Sequence, residues 1–140
     1  MPETISQLMT PDPWTVQETA PIQEAARIMR DADIGDVIVV REDESVCGIV
    51  TDRDLVVRAL ADGADPKSTT VAAVCRHQVV SVSSGDPVDQ AVQLMREHDI
   101  RRLPVLDGSR LVGIVSLGDL AIDKDPNSAL ADISKAPPNN

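Results

Sequence analysis

Two short stretches of the chain carry residue types that could bind a phosphorylated ligand. Each has a glycine, two β-branched apolar residues, a hydroxyl, two variable positions and an aspartate; they span residues 48–54 and 113–119. The β-branched pair predicts the end of a strand. The hydroxyl then predicts a helix N-cap, with the aspartate at the third helical position, as in a capping box. A helix N-terminus can hold a phosphate, and a nearby aspartate can accept hydrogen bonds from a ribose diol. The alternative is that both motifs are only caps.

The two stretches belong to a longer internal repeat. Pro21 pairs with Pro87 and Met29 with Met95 at one constant offset, and the motif glycines pair at an offset one residue shorter. Repeats of this kind indicate a duplicated supersecondary unit. The order of signals predicts a strand, a helix, a two-stranded hairpin and a second helix in each copy.

The pattern of apolar residues predicts where these elements lie. A helix begins near the proline of each copy and has an apolar face at positions i, i+3, i+4 and i+7. The faces comprise Ile22, Ala25, Ala26 and Met29 in the first copy and Val88, Ala91, Val92 and Met95 in the second. Short strands begin at Thr15 and Val80, and hairpins pair 37–40 with 46–50 and 103–106 with 110–115. A helix over 51–62 ends at Gly63, and short amphipathic segments precede both copies at 5–9 and 71–75.

Composition excludes several classes of function. The chain has 140 residues, a net charge of −10, one Trp and neither Phe nor Tyr. This balance disfavours binding to nucleic acid or to an anionic membrane, and the core must be aliphatic. No apolar run reaches membrane-spanning length and the first residues do not resemble a secretion signal, so we expect a cytoplasmic protein.

The two cysteines do not by themselves predict a site. Cys47 falls inside a predicted strand, where a small buried role is typical. Cys75 and His77 resemble the start of a metal site, but no second ligand pair follows at a suitable spacing. We therefore predict no metal, and no Cys47–Cys75 disulfide in a reducing cytoplasm.

The ordered set of motifs, present twice, resembles a pair of cystathionine-β-synthase-type (CBS) domains, also called a Bateman module. It covers nearly everything from Ile5 to Ile122 and is most specific at Ala25–Met29, at His98–Val105 and in the two motif stretches. The resemblance implies an α/β (α+β) fold of two tandem repeats, each strand-helix-strand-strand-helix, packed through their sheets with pseudo-two-fold symmetry. We place repeat 1 at 1–66, repeat 2 at 67–123 and a tail with one weak helix at 124–140.

The resemblance also implies two clefts that hold adenosine-containing ligands such as AMP, ATP or S-adenosylmethionine. By position, Asp54 and Asp119 would hold ribose, and Thr51 and Ser116 would lie near phosphate. The backbone would hold adenine along two stretches in each copy: Thr15, Val16, Asp36 and Val37 in the first, and Val80, Ser81, Arg102 and Leu103 in the second.

The two copies differ at one place that matters for phosphate. Repeat 2 has Arg101 and Arg102 where repeat 1 has Gly35 and Asp36. Guanidinium groups can hold two phosphate oxygens together, so the clefts are predicted to be unequal. The alternative is that the arginines point outwards and pair with surface acids such as Glu97.

These observations lead to one main hypothesis and one alternative. The main hypothesis is a non-catalytic sensor that binds an adenosine-containing ligand, requires no other cofactor, forms a homodimer and acts through an unknown protein partner. The alternative is a structural dimerisation protein with vestigial clefts. An enzyme is not predicted, because the chain has no nucleophile elbow, phosphate-binding Walker loop or acid–base constellation.

Overall fold

The computed structural model describes residues 4–77 and 80–124 and divides into two compact units. The first unit is Trp14–Val79; the second unit joins the described residues up to Pro13 to those from Val80 onward. Both are mixed α/β, as predicted. Within the described ranges, no helix is long and apolar enough to span a membrane.

The elements follow the predicted order in both copies. The strands are β1 (Thr10–Pro11), β2 (Thr15–Gln17), β3 (Asp36–Val40), β4 (Val46–Thr51), β5 (Val82–Ser83), β6 (Arg102–Asp107) and β7 (Arg110–Ser116). The helices are α1 (Ile22–Ala32), α2 (Asp52–Asp54), α3 (Val71–Val74), α4 (Val88–His98) and α5 (Leu117–Lys124). A single 3₁₀ turn covers Ile5–Gln7, and a π-helix over Leu55–Leu60 continues α2.

The first unit is built on a three-stranded sheet with the order β2-β3-β4. β2 runs parallel to β3, and α1 makes the crossover between them; β3 and β4 form the predicted antiparallel hairpin. One face of the sheet contributes Val37, Val39 and Val50 to an aliphatic core that α1 closes. The second unit has the sheet order β1-β7-β6-β5, in which β5 and β6 are parallel and β6 and β7 form the second hairpin.

The helices α1 and α4 are constructed in the same way. Pro21 and Pro87 occupy their N-cap positions with φ of −68° and −67°, and each helix ends at an aspartate in the left-handed region. Aspartate tolerates this conformation because its short side chain can bond locally. Three positions of each predicted apolar face are buried, but Ala26 is exposed, so the face of α1 is narrower than predicted.

Two predicted elements differ from those observed. The predicted helix over 51–62 is one α-helical turn followed by a π-helix that ends at Leu60, two residues earlier than predicted. Gly63, with φ of +71°, lies in the turn that follows. A π-helix is rare and occurs mostly as a short insertion within an α-helix, so the capping and apolar signals predict a helix but not its type. The strand predicted to begin at Val80 begins at Val82.

The short segment before each copy packs on the sheet of the other copy. Residues 5–11 belong to the second unit, where Ile5 is fully buried and β1 pairs with β7. The segment 71–76 belongs to the first unit, where Ile49 and Arg76 exchange backbone hydrogen bonds of 3.2 and 3.0 Å. The motif glycines permit this, because a Cβ at Gly48 would overlap the Arg76 carbonyl and one at Gly113 would lie 2.9 Å from the Thr10 carbonyl oxygen.

The predicted boundaries of the repeats, at 66/67 and 123/124, stay predictions. The two compact units are defined by their contacts and not by the sequence repeat, so they do not test where each repeat ends. The predicted weak helix of the tail, at 128–133, lies outside the described residues.

Substitution of either motif glycine is expected to destabilise the protein. Gly48→Ala or Gly113→Ala forces a methyl group into a backbone contact, and overpacking of this kind costs about 1–3 kcal/mol. Gly85→Ala is the matched control, because a Cβ there meets nothing within 4 Å. Urea unfolding monitored by circular dichroism measures all three; a Gly48→Ala variant as stable as Gly85→Ala would contradict the packing described.

Candidate functional site

Both predicted capping boxes are present. In the first unit the Asp54 N–H donates to Thr51 Oγ1 (3.0 Å), and the Thr51 N–H donates to Asp54 Oδ2 (3.0 Å). In the second unit the Asp119 N–H donates to Ser116 Oγ (3.1 Å), and the Ser116 N–H donates to Asp119 Oδ2 (2.8 Å). Each hydroxyl and one oxygen of each carboxylate are therefore engaged in starting the helix.

The remaining carboxylate oxygen is placed differently in the two units. Asp54 is only 2% exposed, and its Oδ1 lies 3.6 Å from Arg76 Nε and 3.8 Å from Arg58 Nε. Asp119 is half-buried, so part of its carboxylate reaches the surface. A ribose hydroxyl would have to displace two guanidinium groups at Asp54, whereas Asp119 can be approached from solvent.

The first helical N–H of each motif is bound by the chain itself. The Asp52 N–H donates to the Gly35 carbonyl (3.0 Å), and the Leu117 N–H donates to the Arg101 carbonyl (2.8 Å). The same hydrogen bond thus ties the start of the second helix to the residue just before the hairpin in both copies. It brings positions 35 and 101 to the helix N-terminus. These positions belong to the pair of residues, Gly35-Asp36 against Arg101-Arg102, at which the sequence predicts that the two copies differ in phosphate binding.

The residue paired with the capping hydroxyl carries opposite charge in the two units. In the first unit, Asp36 is the register partner of Thr51, and the Asp52 carboxylate accepts the Arg53 N–H (2.7 Å). In the second unit, Arg102 is the register partner of Ser116, and Leu117 takes the place of Asp52. Residues opposite each other on antiparallel strands project to the same face, so Arg102 and Ser116 lie together.

Arg101 borders a shallow groove in the second unit. The groove has a volume of about 370 Å³, lies between α4 and α5, and is lined mainly by apolar side chains that include Val92, Ile100 and Leu117. Arg101 and Arg102 are both exposed. The acid suggested as their alternative partner, Glu97, accepts a hydrogen bond from Gln93 Nε2 (2.8 Å).

The residues assigned to adenine fall into two groups. Val16, Val37 and Leu103 are buried in the two cores, so any contact they make with a ligand must come from their backbone. The others reach the surface at least in part: Thr15, Asp36, Val80 and Ser81, together with Arg102. The register aligns Thr15 with Ile38, two residues from Asp36 on β3.

A cluster of possible metal ligands was missed by the search for sequential ligand pairs. Cys47, Cys75 and His77 offer ligand atoms within 4.8 Å of one another. Both thiols are free and buried, and burial is the main cause that raises the pKa of Cys47 and raises the pKa of Cys75 to about 11. Cys47 lies on β4, far along the sequence from Cys75 and His77. The cluster therefore forms only because the segment 71–76 packs on that strand, and ligand spacing alone could not predict it.

The family is established by comparison. The family model described as CBS domain matches residues 5–60 and again residues 71–122. The chain therefore belongs to the CBS-domain family, with two tandem CBS repeats.

Several known proteins are similar over most of their length. The uncharacterized protein YlbB of Bacillus subtilis (strain 168) is 42% identical over 136 residues, which cover 94% of this chain and 91% of that protein. The crystal structure of Hypoxic Response Protein I with two coordinated zinc ions has a TM-score of 0.78 at 34% identity and covers 84% of this chain and 96% of its own. The CBS domain pair of protein MJ0100, in complex with 5′-methylthioadenosine and S-adenosyl-L-methionine, has a TM-score of 0.79 at 26% identity and covers 91% of this chain and 100% of its own.

Loss of the two motif aspartates is expected to have unequal effects on stability. Asp54→Ala removes a buried carboxylate that serves a backbone N–H and two guanidinium groups, so it should cost about 1–3 kcal/mol of unfolding free energy. Asp119→Ala removes a half-buried cap and should cost about 1 kcal/mol or less. Urea unfolding of both variants measures the difference, and equal losses would show that burial of Asp54 is not the distinguishing feature.

Proposed function

We propose that the protein is a non-catalytic regulatory module that binds an adenosine-containing ligand. Membership of the CBS-domain family supports a regulatory, ligand-binding role, and the MJ0100 pair binds two adenosine compounds. AMP, ATP and S-adenosylmethionine are the candidate ligands. The cytoplasmic location and the existence of a separate protein partner stay predictions.

The ligand is proposed to bind at the start of α5. The observation that best supports this position is the positive charge of the arginines next to the cap. Arg102 is the register partner of Ser116 and the Arg101 carbonyl accepts the Leu117 N–H, while the corresponding positions of the first unit hold Asp36 and Gly35. The chain has a net charge of −10, so a phosphate must meet local cations that offset long-range repulsion. The half-buried Asp119 carboxylate can then accept hydrogen bonds from the ribose diol.

The first unit is less suited to a phosphorylated ligand. The Asp52 carboxylate lies at the N-terminus of α2 and next to Gly35, where a Cβ would be only 3.3 Å from Asp52 Oδ2. Its negative charge would repel a phosphate bound at this helix N-terminus. Asp54 is buried and faces Arg58 and Arg76. For this unit the alternative function, a structural one with an unused cleft, has a specific observation in its favour.

The arginine pair is expected to distinguish AMP from adenosine. Arg101→Ala with Arg102→Ala removes the charge-assisted contacts to phosphate, worth roughly 1.5–3 kcal/mol, and should lower AMP affinity about ten-fold or more. Adenosine affinity should change little, because adenosine has no phosphate and the backbone assigned to adenine is unaltered. Isothermal titration calorimetry with both ligands measures this, and Arg110→Ala, an exposed arginine at the β6–β7 turn, is the control.

The outcomes separate the two functions. Equal losses for AMP and adenosine would contradict a phosphate role for the arginines. No binding of AMP, ATP or S-adenosylmethionine to the unaltered chain would favour the structural alternative.

We also propose that the chain forms a homodimer through exposed apolar helix surfaces. Val56, Val57 and Leu60 all project from the π-helix, with exposures of 55%, 50% and 71%. Apolar side chains clustered in this way on a surface are typical of interfaces, because their burial gains about 25 cal/mol per Å².

Placing a charge within this surface is expected to dissociate the dimer. Leu60→Glu should reduce the mass measured by light scattering on a sizing column from twice 15.0 kDa towards 15.0 kDa. Ala61→Glu is the matched control, since it adds the same charge at the adjacent exposed position. A 15.0 kDa species for the unaltered chain at micromolar concentration would contradict the proposal.

A further inference from the structure

We propose that Cys47, Cys75 and His77 form a zinc site in the first unit. Three of the commonest zinc-ligating atoms meet here from two separate parts of the chain, β4 and the end of the segment that packs on it. Thiolate and imidazole ligands favour zinc over magnesium or calcium, which require oxygen.

The imidazole is oriented for coordination. His77 Nε2 lies 2.7 Å from the Ala72 carbonyl oxygen, which can only accept, so Nε2 carries the proton and donates it. The other ring nitrogen, Nδ1, then has the lone pair and lies 3.5 Å from Cys47 Sγ. Cys75 Sγ lies beside the ring, 4.0 Å from Nδ1 and 3.6 Å from Nε2. A backbone carbonyl that fixes the free N–H of a ligating histidine is the usual outer partner in metal sites.

The distances fit a tetrahedral ion. Zn–S bonds of about 2.3 Å and Zn–N bonds of about 2.0 Å place ligand atoms about 3.5–3.8 Å apart. His77 Nδ1 lies 3.5 Å from Cys47 Sγ and 4.0 Å from Cys75 Sγ. The two nitrogen–sulfur distances are therefore within about 0.5 Å of those around one shared ion. All three ligand atoms lie within 4.8 Å of one another.

The backbone holds the cluster together without the ion. The hydrogen bonds between Ile49 and Arg76 fix the segment on β4, and Gly48 makes this approach possible. A Cβ at Gly48 would lie 3.2 Å from Cys75 Sγ, so the glycine also leaves room for the sulfur. Both cysteines are buried and His77 is exposed, so a fourth ligand would come from the solvent side.

The site is independent of the ligand proposed at Ser116 and Asp119. None of its residues belongs to either capping box. Failure to bind zinc would leave the binding of AMP untouched, and failure to bind AMP would leave the zinc site untouched.

Metal binding to the untagged, reduced, metal-free chain tests the proposal. Zinc should bind with one ion per chain in competition with a chromophoric chelator and should raise the melting temperature. Cobalt should give an intense thiolate-to-metal charge-transfer band and visible bands typical of a tetrahedral site, which zinc then abolishes.

The variants show which residues bind the ion. Cys47→Ser, Cys75→Ser and His77→Gln should each weaken zinc at least about ten-fold, whereas the control His98→Gln, which alters the other histidine, should not. His77 is exposed, so its variant keeps the proposal testable if the buried cysteine variants do not fold. A His77→Gln chain that binds zinc as tightly as the unaltered chain, or an unaltered chain that binds none, would overturn the proposal.

Discussion

The reciprocal hydrogen bonds between a hydroxyl and an aspartate at the end of each hairpin fix the position of the candidate site. These bonds join Thr51 to Asp54 and Ser116 to Asp119. In both copies the strand ends at the hydroxyl residue and the helix begins at the next residue. The next N–H along binds the carbonyl just before the hairpin, so strand end, helix start and hairpin entry meet at one point. Whatever side chains occupy those few positions therefore project to the same place.

The duplicated scaffold places different chemistry at its two caps. Around α2 the chain supplies Asp36 and Asp52, while around α5 it supplies Arg101 and Arg102. At the caps themselves the backbone hydrogen bonds are the same, so the difference in charge there comes from the side chains. A duplication of this kind allows one copy to be shaped for a phosphorylated ligand while the other keeps a buried carboxylate in a structural role.

The features that depend on local patterns could be predicted from the sequence. The capping boxes, the helices that follow Pro21 and Pro87, and both hairpins could be predicted from residue types and from periods of 3.6 and 2. The repeated motifs resemble a pair of CBS domains, and the match to the family model confirms that prediction.

The remaining features depend on contacts between distant parts of the chain. Periodicity predicted that Ala26 lies on the buried face, but Ala26 is exposed. The ion pair between Asp54 and Arg76 depends on the segment 71–76, which packs on β4. The same packing brings Cys75 and His77 to Cys47, and no spacing rule connects those residues along the sequence.

Amide chemical shifts during titration with AMP test the central claim that the two caps differ in function. In ¹⁵N-labelled protein, the amides of Arg101, Arg102 and residues 116–119 should shift and saturate together. Those of Gly35, Asp36 and residues 51–54 should shift less and only at higher ligand concentration. Equal shifts at matching concentrations in both sets, or shifts confined to residues 51–54, would contradict the account.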